Sequence, residues 1–284
     1  RLFKARLQGR HGASPFLPYF TFATMLRKQM VISTSTSWVF RLVPFVVLGS
    51  TMFLALILPL LMLSGSGNLF VVSGVLMIGA IFLVLGGLDS ASAFGGMGAS
   101  REMTIAALVE PAMIMTLAGL AVITGSSDIN GMLVAHITIT QAPYIILTFG
   151  ALIMITLAEN ARYPVDNPAT HLELTMVHEA MILEYSGPYL AMLEFASAIK
   201  ITIFALLVSS FIWPSSLMVA ELSLSAIILA TLLTVVKLIV VMALLAIFES
   251  VIAKMRFYRM QEYLTGAFFL AAAGMIMTLI AKYI

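Results

Sequence analysis

Apolar residues fill seven stretches of the chain, each long enough to cross the ~30 Å hydrocarbon core of a bilayer. The stretches cover residues 42–63, 69–88, 103–124, 138–158, 191–213, 223–248 and 264–281. Inside lipid a helix satisfies its own backbone polar groups, so such runs predict membrane-spanning α-helices. The pattern predicts an all-α integral membrane protein with a single membrane domain over residues 1–284. That domain divides into an N-terminal arm (1–41), four spans with an inner loop at 89–101 (42–158), an acidic loop (159–190) and three last spans (191–284).

The arm at residues 1–41 contains a shorter apolar and aromatic segment. Ser14 followed by Pro15 has the pattern of a helix N-cap and first helical position, and the segment ends at the basic pair Arg27 and Lys28. An apolar helix with a basic flank is typical of an interfacial helix that lies along a membrane surface. A helix covered by a partner subunit fits the same pattern, so both interpretations stay open.

The connections between the spans alternate in charge. One set carries Arg1, Lys4, Arg6, Arg10, Arg27, Lys28, Arg41, Arg101, Arg162, Lys254, Arg256 and Arg259. The other set, residues 64–68, 125–137 and 214–222, contains no Lys or Arg. The positive-inside rule predicts that the first set is cytoplasmic. We therefore expect a multi-pass protein of the inner cell membrane, with the acidic loop in the cytoplasm and the C-terminus outside.

Composition narrows the chemistry that the chain can perform. The hydrophobic fraction is 61%, the charged fraction 10% and the mean hydropathy +1.08, which excludes a soluble domain of this size. The absence of cysteine excludes thiolate-ligated iron–sulfur clusters, thiol catalysis and disulfides. No two histidines fall within the predicted spans, which argues against a haem in the bilayer. We expect the chain to lie in a lipid bilayer and to bind no nucleic acid. We also expect it to have no redox centre or metal of its own.

Glu110, Lys200 and Lys237 are ionisable residues that fall deep inside the predicted spans. Each costs roughly 2.5–3.5 kcal/mol to insert, so an intramembrane charge is a functional hypothesis by default. The helical rise places Glu110 ~13 Å and both lysines ~18 Å from the inner face. This arrangement favours a hydrated polar axis that conducts protons or other ions. A structural ion pair between Glu110 and one of the lysines is the alternative.

The acidic loop and its flanks carry six carboxylates but a single arginine, Arg162. The carboxylates belong to Glu159, Asp166, Glu173, Glu179, Glu184 and Glu194. Crowding beside lipid is expected to raise the pKa of some of them toward neutrality, the condition for a proton relay. A solvated acidic loop is the alternative, but most of the segment is apolar, which indicates that another protein covers it. Asn167 followed by Pro168 predicts the start of a helix within the loop.

Two further features have weaker signals. His171 and His178 share a helical face, but a third histidine and the zinc-protease spacing are missing, so no metal site is predicted. The segment 94–102 is rich in glycine, yet no strand precedes it and no lysine follows, so a phosphate-binding loop is not favoured. Its glycines are expected to let the backbone pack closely against a cavity or a partner, with Ser100 capping the next span.

A family resemblance covers essentially the whole chain. Residues 158–166 (AENARYPVD) and 183–187 (LEYSG) resemble the signature loop of the complex I membrane subunit that joins the quinone chamber to the proton-pumping arm. Residues 167–181 (NPATHLELTMVHEAM) resemble instead the homologous subunit of membrane-bound group 4 nickel–iron hydrogenases, which include formate hydrogenlyase, hydrogenase-4 and other energy-converting hydrogenases. Three further segments also resemble the hydrogenase subunit, namely residues 88–90 (LDS), 94–102 (FGGMGASRE) and 109–111 (VEP).

The resemblance implies an eight-span fold of which this chain lacks the first span. It also implies a position beneath the hydrogenase-like large and small subunits and beside antiporter-like membrane subunits. The nickel–iron centre and the iron–sulfur clusters are expected in those partners, and a quinone is a further candidate ligand. The charged residues and the resemblance together predict a proton or ion path. Its members are Glu110, Glu159, Asp166, Glu173, Glu179, Glu184, Glu194, Lys200 and Lys237. The chamber or partner-facing set is Asp89, Phe94, Gly95, Gly96, Gly98, Arg101, Glu102, Arg162, His171 and His178.

The predicted function is that of a membrane-anchoring, energy-coupling subunit of a group 4 hydrogenase-type complex, which links redox chemistry in soluble partners to translocation of H⁺ or Na⁺. The first alternative is the quinone-chamber subunit of a complex I-like oxidoreductase fed by NADH, ferredoxin or a deazaflavin. The complex I loop is more acidic at residues 167–171, which weakens the case for a quinone. The second alternative is a stand-alone ion transporter, against which the missing inverted repeat argues.

Overall fold

The computed structural model describes residues 2–58, 67–134, 142–166, 177–212, 224–252 and 257–283. Within these ranges the chain forms α1 (Leu2–Leu7), α2 (Leu17–Arg27), α3 (Trp38–Ile57), α4 (Leu69–Asp89), α5 (Ala93–Thr124), α6 (Ile129–Val134), α7 (Ala142–Glu159), α8 (His178–Ile182), α9 (Gly187–Ile212), α10 (Leu224–Val251) and α11 (Phe257–Tyr283). Six of the helices in the described ranges are long and apolar enough to cross a membrane, and α7 contributes a shorter apolar helix, Pro143–Glu159. The all-α, multi-pass membrane fold is confirmed.

The third span begins ten residues earlier than predicted, because the glycine-rich segment is already helical. Ser92 is the N-cap of α5, and its side chain accepts a hydrogen bond from the backbone N–H of Gly95 at 3.1 Å. The prediction that Ser100 caps this span was wrong. Ser100 lies inside α5, where its hydroxyl donates to the carbonyl oxygen of Met97 at 3.0 Å.

The N-terminal arm contains the short helix α1 and the apolar helix α2. The prediction of Ser14 as the N-cap was wrong, because α2 begins at Leu17 with Phe16 at the cap position and a proline in its first turn. One side of α2 packs on α9, where the rings of Phe22 and Phe195 have centroids 5.3 Å apart. Tyr19, one turn before Phe22, is 74% exposed, as expected of a helix that lies in an interface or under a cover.

Helix α5 lies at the centre of the bundle. It packs against α4, α7, α8 and α11, while α3 packs against α4 and α9. Helices α7 and α11 approach each other closely at Gly274, where an added Cβ atom would lie 2.6 Å from the Thr148 hydroxyl. Helix α10 is peripheral, because it packs chiefly against α9 and α1 and leaves apolar side chains such as Leu232 and Ile239 exposed.

The short helix α8 lies across one end of the bundle, which we call the α8 end. Two glycines make room for it on α4 and α5. A Cβ atom on Gly98 would approach the carbonyl oxygen of Val177 to 2.9 Å, and one on Gly87 would approach the Met181 side chain to 3.0 Å. The close packing expected of the glycine-rich segment is therefore made, in part, within the chain itself.

Asp89 fixes the start of α3 at the same end. Its Oδ2 atom accepts hydrogen bonds from the backbone N–H groups of Ser37 at 2.8 Å and Phe40 at 3.1 Å. The Phe40 ring stacks on Tyr185 with centroids 3.9 Å apart, and the Tyr185 hydroxyl donates to the Phe40 carbonyl oxygen at 3.2 Å. Asp89, which we predicted in the chamber or partner-facing set, thus caps α3, while Phe40 and Tyr185 join α3 to the connection between α8 and α9.

Candidate functional site

A small cavity with both apolar and polar lining lies beneath α8, between α3, α4, α5, α7 and α9. Its volume is about 60 Å³, which suits a chain of about four water molecules at roughly 10–15 Å³ each. The polar side chains that line it belong to Ser50, Thr51, Glu102, Glu159, Asn160, His178, Ser197 and Lys200. The cavity therefore brings together residues from both halves of the chain, which the sequence alone does not order in space.

An ion pair between Glu159 and Lys200 is the central feature of the cavity. Glu159 is the last residue of α7, and its Oε2 atom lies 2.6 Å from the Lys200 Nζ atom on α9. The carboxylate side chain is 12% exposed and the lysine side chain 22%, so water screens the pair only in part. Lys200 pairs with Glu159 rather than with Glu110, the partner considered from the sequence.

Two more carboxylates on α5 face this pair. Glu102 lines the cavity, within electrostatic range of Lys200, Glu159 and Asp166. Glu110 lies about two turns further along α5, within range of Glu159 and Lys200. Glu102, which we predicted in the chamber or partner-facing set, lines the same cavity as Glu159 and Lys200. Three carboxylates near one ammonium group form a coupled system, in which one added proton changes the charge that holds Lys200.

His178 lines the cavity at the α8 end, and Asp166 contacts its backbone. Asp166 is buried, with 2% of its surface exposed, and its Oδ2 atom accepts from the backbone N–H of His178 at 3.4 Å. Burial lowers the pKa of His178 to about 4, the positive charge of Lys200 adds to this effect, and the Asp166 carboxylate opposes it. A neutral imidazole at this position can accept or donate a hydrogen bond beside the ion pair.

The remaining predicted site residues lie in several different places. Glu184 and Glu194 are exposed and do not line the cavity, and Glu179 is half-buried on α8. Lys237 is buried on α10 and does not line the cavity either. The segment 167–176, with Glu173, His171 and the predicted helix start at Asn167, lies outside the described residues. At the start of α5, Gly95 and Gly98 are buried, whereas Phe94, Gly96 and Arg101 are half-buried.

A second cluster of charges, which the sequence reasoning missed, lies at the end of α10. The Glu249 side chain is 6% exposed, 2.8 Å from the Lys4 Nζ atom and 3.6 Å from an Arg162 nitrogen. Its partner Lys4 is 245 residues away in the sequence, so no local pattern could reveal the contact. The one available signal was a carboxylate at the end of a long apolar run.

The described residues contain no group of three or more His, Asp or Glu side chains arranged to hold a metal ion. Their ionisable side chains form ion pairs and hydrogen bonds instead, as in the pair of Glu159 with Lys200. Such side chains can bind and release protons.

A multi-pass bundle of long apolar helices defines a polytopic membrane protein, and this one holds an ion pair in a small cavity. The family described as NADH dehydrogenase matches residues 1–280, and the chain belongs to this family. It is 31% identical to hydrogenase-4 component C of Escherichia coli K12 over 97% of this chain and 88% of that protein. It is 29% identical to formate hydrogenlyase subunit 4 of the same organism over 90% of this chain and 84% of that protein.

The fold is also found in a solved archaeal structure. The chain matches a subunit of the membrane-bound sulfane sulfur reductase, an archaeal respiratory membrane complex, with a TM-score of 0.81 over 98% of this chain and 91% of that one. The sequences are 17% identical, so this likeness concerns the fold alone. The resemblance to complex I and group 4 hydrogenase subunits, drawn from short motifs, is confirmed over almost the whole chain.

Proposed function

We propose that this chain is the membrane-anchoring, energy-coupling subunit of a group 4 hydrogenase-type complex. It would link redox chemistry in soluble partner subunits to translocation of H⁺ or Na⁺ across the membrane. Two relatives support this function by name, hydrogenase-4 component C and formate hydrogenlyase subunit 4. The observation that carries the proposal is the pair of Glu159 and Lys200 in a cavity that also holds Glu102 and His178.

The chemistry of coupling follows from the charges of the cavity. Protonation of Glu159 removes the countercharge of Lys200, and the ammonium group then turns to Glu102 or Glu110, which lie within electrostatic range. A change of charge or conformation in a covering redox subunit would bias the same equilibrium from the α8 end. By linkage, the reverse also holds, so an ion gradient would act on the redox reaction.

The proposal includes an orientation and a set of partners. The α8 end faces the cytoplasm, because Lys4, Arg101 and Arg162 lie on elements at this end. Hydrogenase-like large and small subunits cover α8 and hold the nickel–iron centre and the iron–sulfur clusters, and antiporter-like subunits lie beside the bundle in the bilayer. The chain itself contributes protonatable side chains and no redox cofactor.

Glutamine at position 159 tests the proposal in the assembled complex. Glu159→Gln keeps the size of the side chain but removes the charge, so we expect redox turnover to continue with fewer ions translocated per turnover. Both quantities are measured in sealed inverted vesicles with a pH-sensitive dye, and sodium replaces potassium in parallel samples to identify the ion. Glu262→Gln, at an exposed carboxylate on α11, is the matched control. An unchanged ratio in both Glu159→Gln and Glu110→Gln contradicts the proposal.

A quinone-chamber subunit is the second candidate, and the description of the matched family as NADH dehydrogenase favours it. In that case the coupling event at the cavity would be the protonation of a reduced quinone rather than of a side chain alone. Titration of the same vesicles with a quinone-site inhibitor separates the candidates. Inhibition at stoichiometric amounts of inhibitor supports the quinone chamber, and full turnover in its presence supports the hydrogenase-type subunit.

A further inference from the structure

Glu249 joins three segments that are distant in the sequence. It lies in the last turn of α10, and its side chain is almost fully buried. Its Oε2 atom lies 2.8 Å from Lys4 Nζ on α1, and its Oε1 atom lies 3.6 Å from Arg162 Nη1 in the turn after α7. One buried carboxylate is therefore shared by two cations from two different segments.

The turn after α7 is held by more than this charge. The Lys4 ammonium group also lies 4.4 Å from the centre of the Tyr163 ring, within the range of a cation–π interaction. Two consecutive residues of the turn, Arg162 and Tyr163, thus rest on the unit formed by Lys4 and Glu249. Within the turn, Ala161 has a left-handed backbone with φ of 48°, a conformation that a residue with a Cβ atom keeps only when its surroundings hold it.

The same turn carries the residues of the cavity. Glu159 immediately precedes it, and Asn160 and Ala161 line the cavity wall. The backbone N–H of Arg162 donates to the carbonyl oxygen of Leu157 at 2.9 Å. A displacement of Arg162 would therefore be transmitted over less than one helical turn to the Glu159 carboxylate, which must stay at 2.6 Å from Lys200.

We propose that Glu249 is a positioning residue, which holds the turn at residues 160–166 so that Glu159 meets Lys200, and which thereby ties α1 and α10 to the cavity. The role that this turn plays in coupling rests on the proposed function, whereas the positioning itself does not. Replacement of Glu249 by glutamine removes the carboxylate that both cations share, so that Lys4 and Arg162 repel each other. The turn then moves away from α10.

Cysteine accessibility measures the position of the turn directly, because residues 1–284 contain no cysteine. A single Asn160→Cys substitution in the assembled complex is labelled with a maleimide, and the label is quantified on this chain after separation of the subunits. We expect the labelling rate to rise about tenfold or more in Glu249→Gln, since removal of one member of a buried charge pair is costly. Glu249→Asp, which keeps the charge, should return most of the protection. Glu262→Gln, at an exposed carboxylate, should leave the rate unchanged.

Lys4→Met is the second variant, and it keeps the test valid if Glu249→Gln does not assemble. It removes the contacts to both Glu249 and Tyr163, so the labelling rate should rise here as well, by a smaller factor. The double variant of Lys4→Met and Glu249→Gln should raise the labelling rate by less than the product of the two separate factors, because both substitutions act on the same unit. Unchanged labelling in the variants that assemble overturns the proposal.

The effect on coupling is measured in the same vesicles as for Glu159→Gln. We expect Glu249→Gln to lower the number of ions translocated per turnover, although Glu249 does not line the cavity, and Glu249→Asp to restore most of it. If Glu159→Gln uncouples but Glu249→Gln changes neither labelling nor coupling, the positioning role alone is wrong. If Glu249→Gln raises labelling while Glu159→Gln leaves coupling intact, the positioning role stands and the proposed function is wrong.

Discussion

Through His178, pH acts on the α8 end. Its imidazole lies in the cavity wall, where burial and the positive charge of Lys200 both disfavour protonation and lower its pKa to about 4. The nearby Asp166 carboxylate opposes the shift but does not cancel it. His178 is therefore neutral at physiological pH and gains a proton only at a cost to the folded state.

The stability of the α8 end should accordingly fall in acid. The pKa of His178 is about 4 in the folded chain and close to 6.5 in the unfolded chain, so the unfolded state binds more protons between these values. The contribution of His178 is thus complete above pH 6.5 and is lost as the pH falls toward 4. The melting temperature of His178→Gln should therefore fall less between pH 7.5 and pH 5 than that of the unsubstituted protein. The difference should be about 2–4 °C for each kcal/mol of stability that His178 contributes. Thermal unfolding of the purified complex measures this, with His11→Gln, at an exposed histidine, as control. An equal decrease in melting temperature in the unsubstituted protein, His178→Gln and His11→Gln contradicts the role of His178.

At the scale of single elements, the interiors of the spans could be predicted, but several of their ends could not. Hydropathy is a local property, so each apolar run marks the part of a helix that faces lipid or core. Helix α5 begins ten residues before its apolar run and α11 seven residues before, because both helices continue past the apolar region. Close packing of α8 on Gly98 keeps the glycine-rich part of α5 helical, and no local pattern contains that contact.

The connection between α8 and α9 holds the segment that follows α2. The Ser186 hydroxyl donates to the Val31 carbonyl oxygen at 3.0 Å and accepts from the Val31 N–H at 2.9 Å. Gly187, with φ of +56°, lies so close that an added Cβ atom would be 3.0 Å from the Lys28 carbonyl oxygen. Any larger residue at this position would therefore strain the turn and push the end of α2 away.

Gly187→Ala should loosen α2 from the bundle. The left-handed backbone and the close approach to Lys28 together predict a loss of about 1–3 kcal/mol in local stability. Limited trypsin digestion in membranes measures it, because cleavage after the exposed Lys28 requires the local backbone to leave the bundle. Gly150→Ala, whose added Cβ atom would meet no atom within 4 Å, is the matched control. Equal cleavage of both variants would show that Gly187 does not hold α2.

At the scale of the whole molecule, the site is a product of tertiary structure. The sequence indicated that Glu110, Glu159 and Lys200 are functional candidates, since charges beside or within apolar runs are costly. It could not indicate that Glu159 pairs with Lys200, or that Glu102 joins them in a cavity, because α5, α7 and α9 meet only in the folded bundle. Glu249 was missed for the same physical reason, since its cation Lys4 lies at the other end of the chain.

The orientation of the bundle in the membrane is the last prediction, and it concerns the molecule as a whole. Basic residues gather at the α8 end, while the opposite end, where Asn68 bridges to Asp128, carries none in its predicted connections. The positive-inside rule then predicts that the α8 end is cytoplasmic. Because residues 1–284 contain no cysteine, single substitutions at two exposed serines report on the two sides of the membrane. A membrane-impermeant maleimide should label Ser127→Cys in intact cells and Ser35→Cys only in inverted vesicles. Labelling of Ser35→Cys in intact cells would reverse the orientation, and would leave a cytoplasmic redox partner unable to reach the cavity through α8.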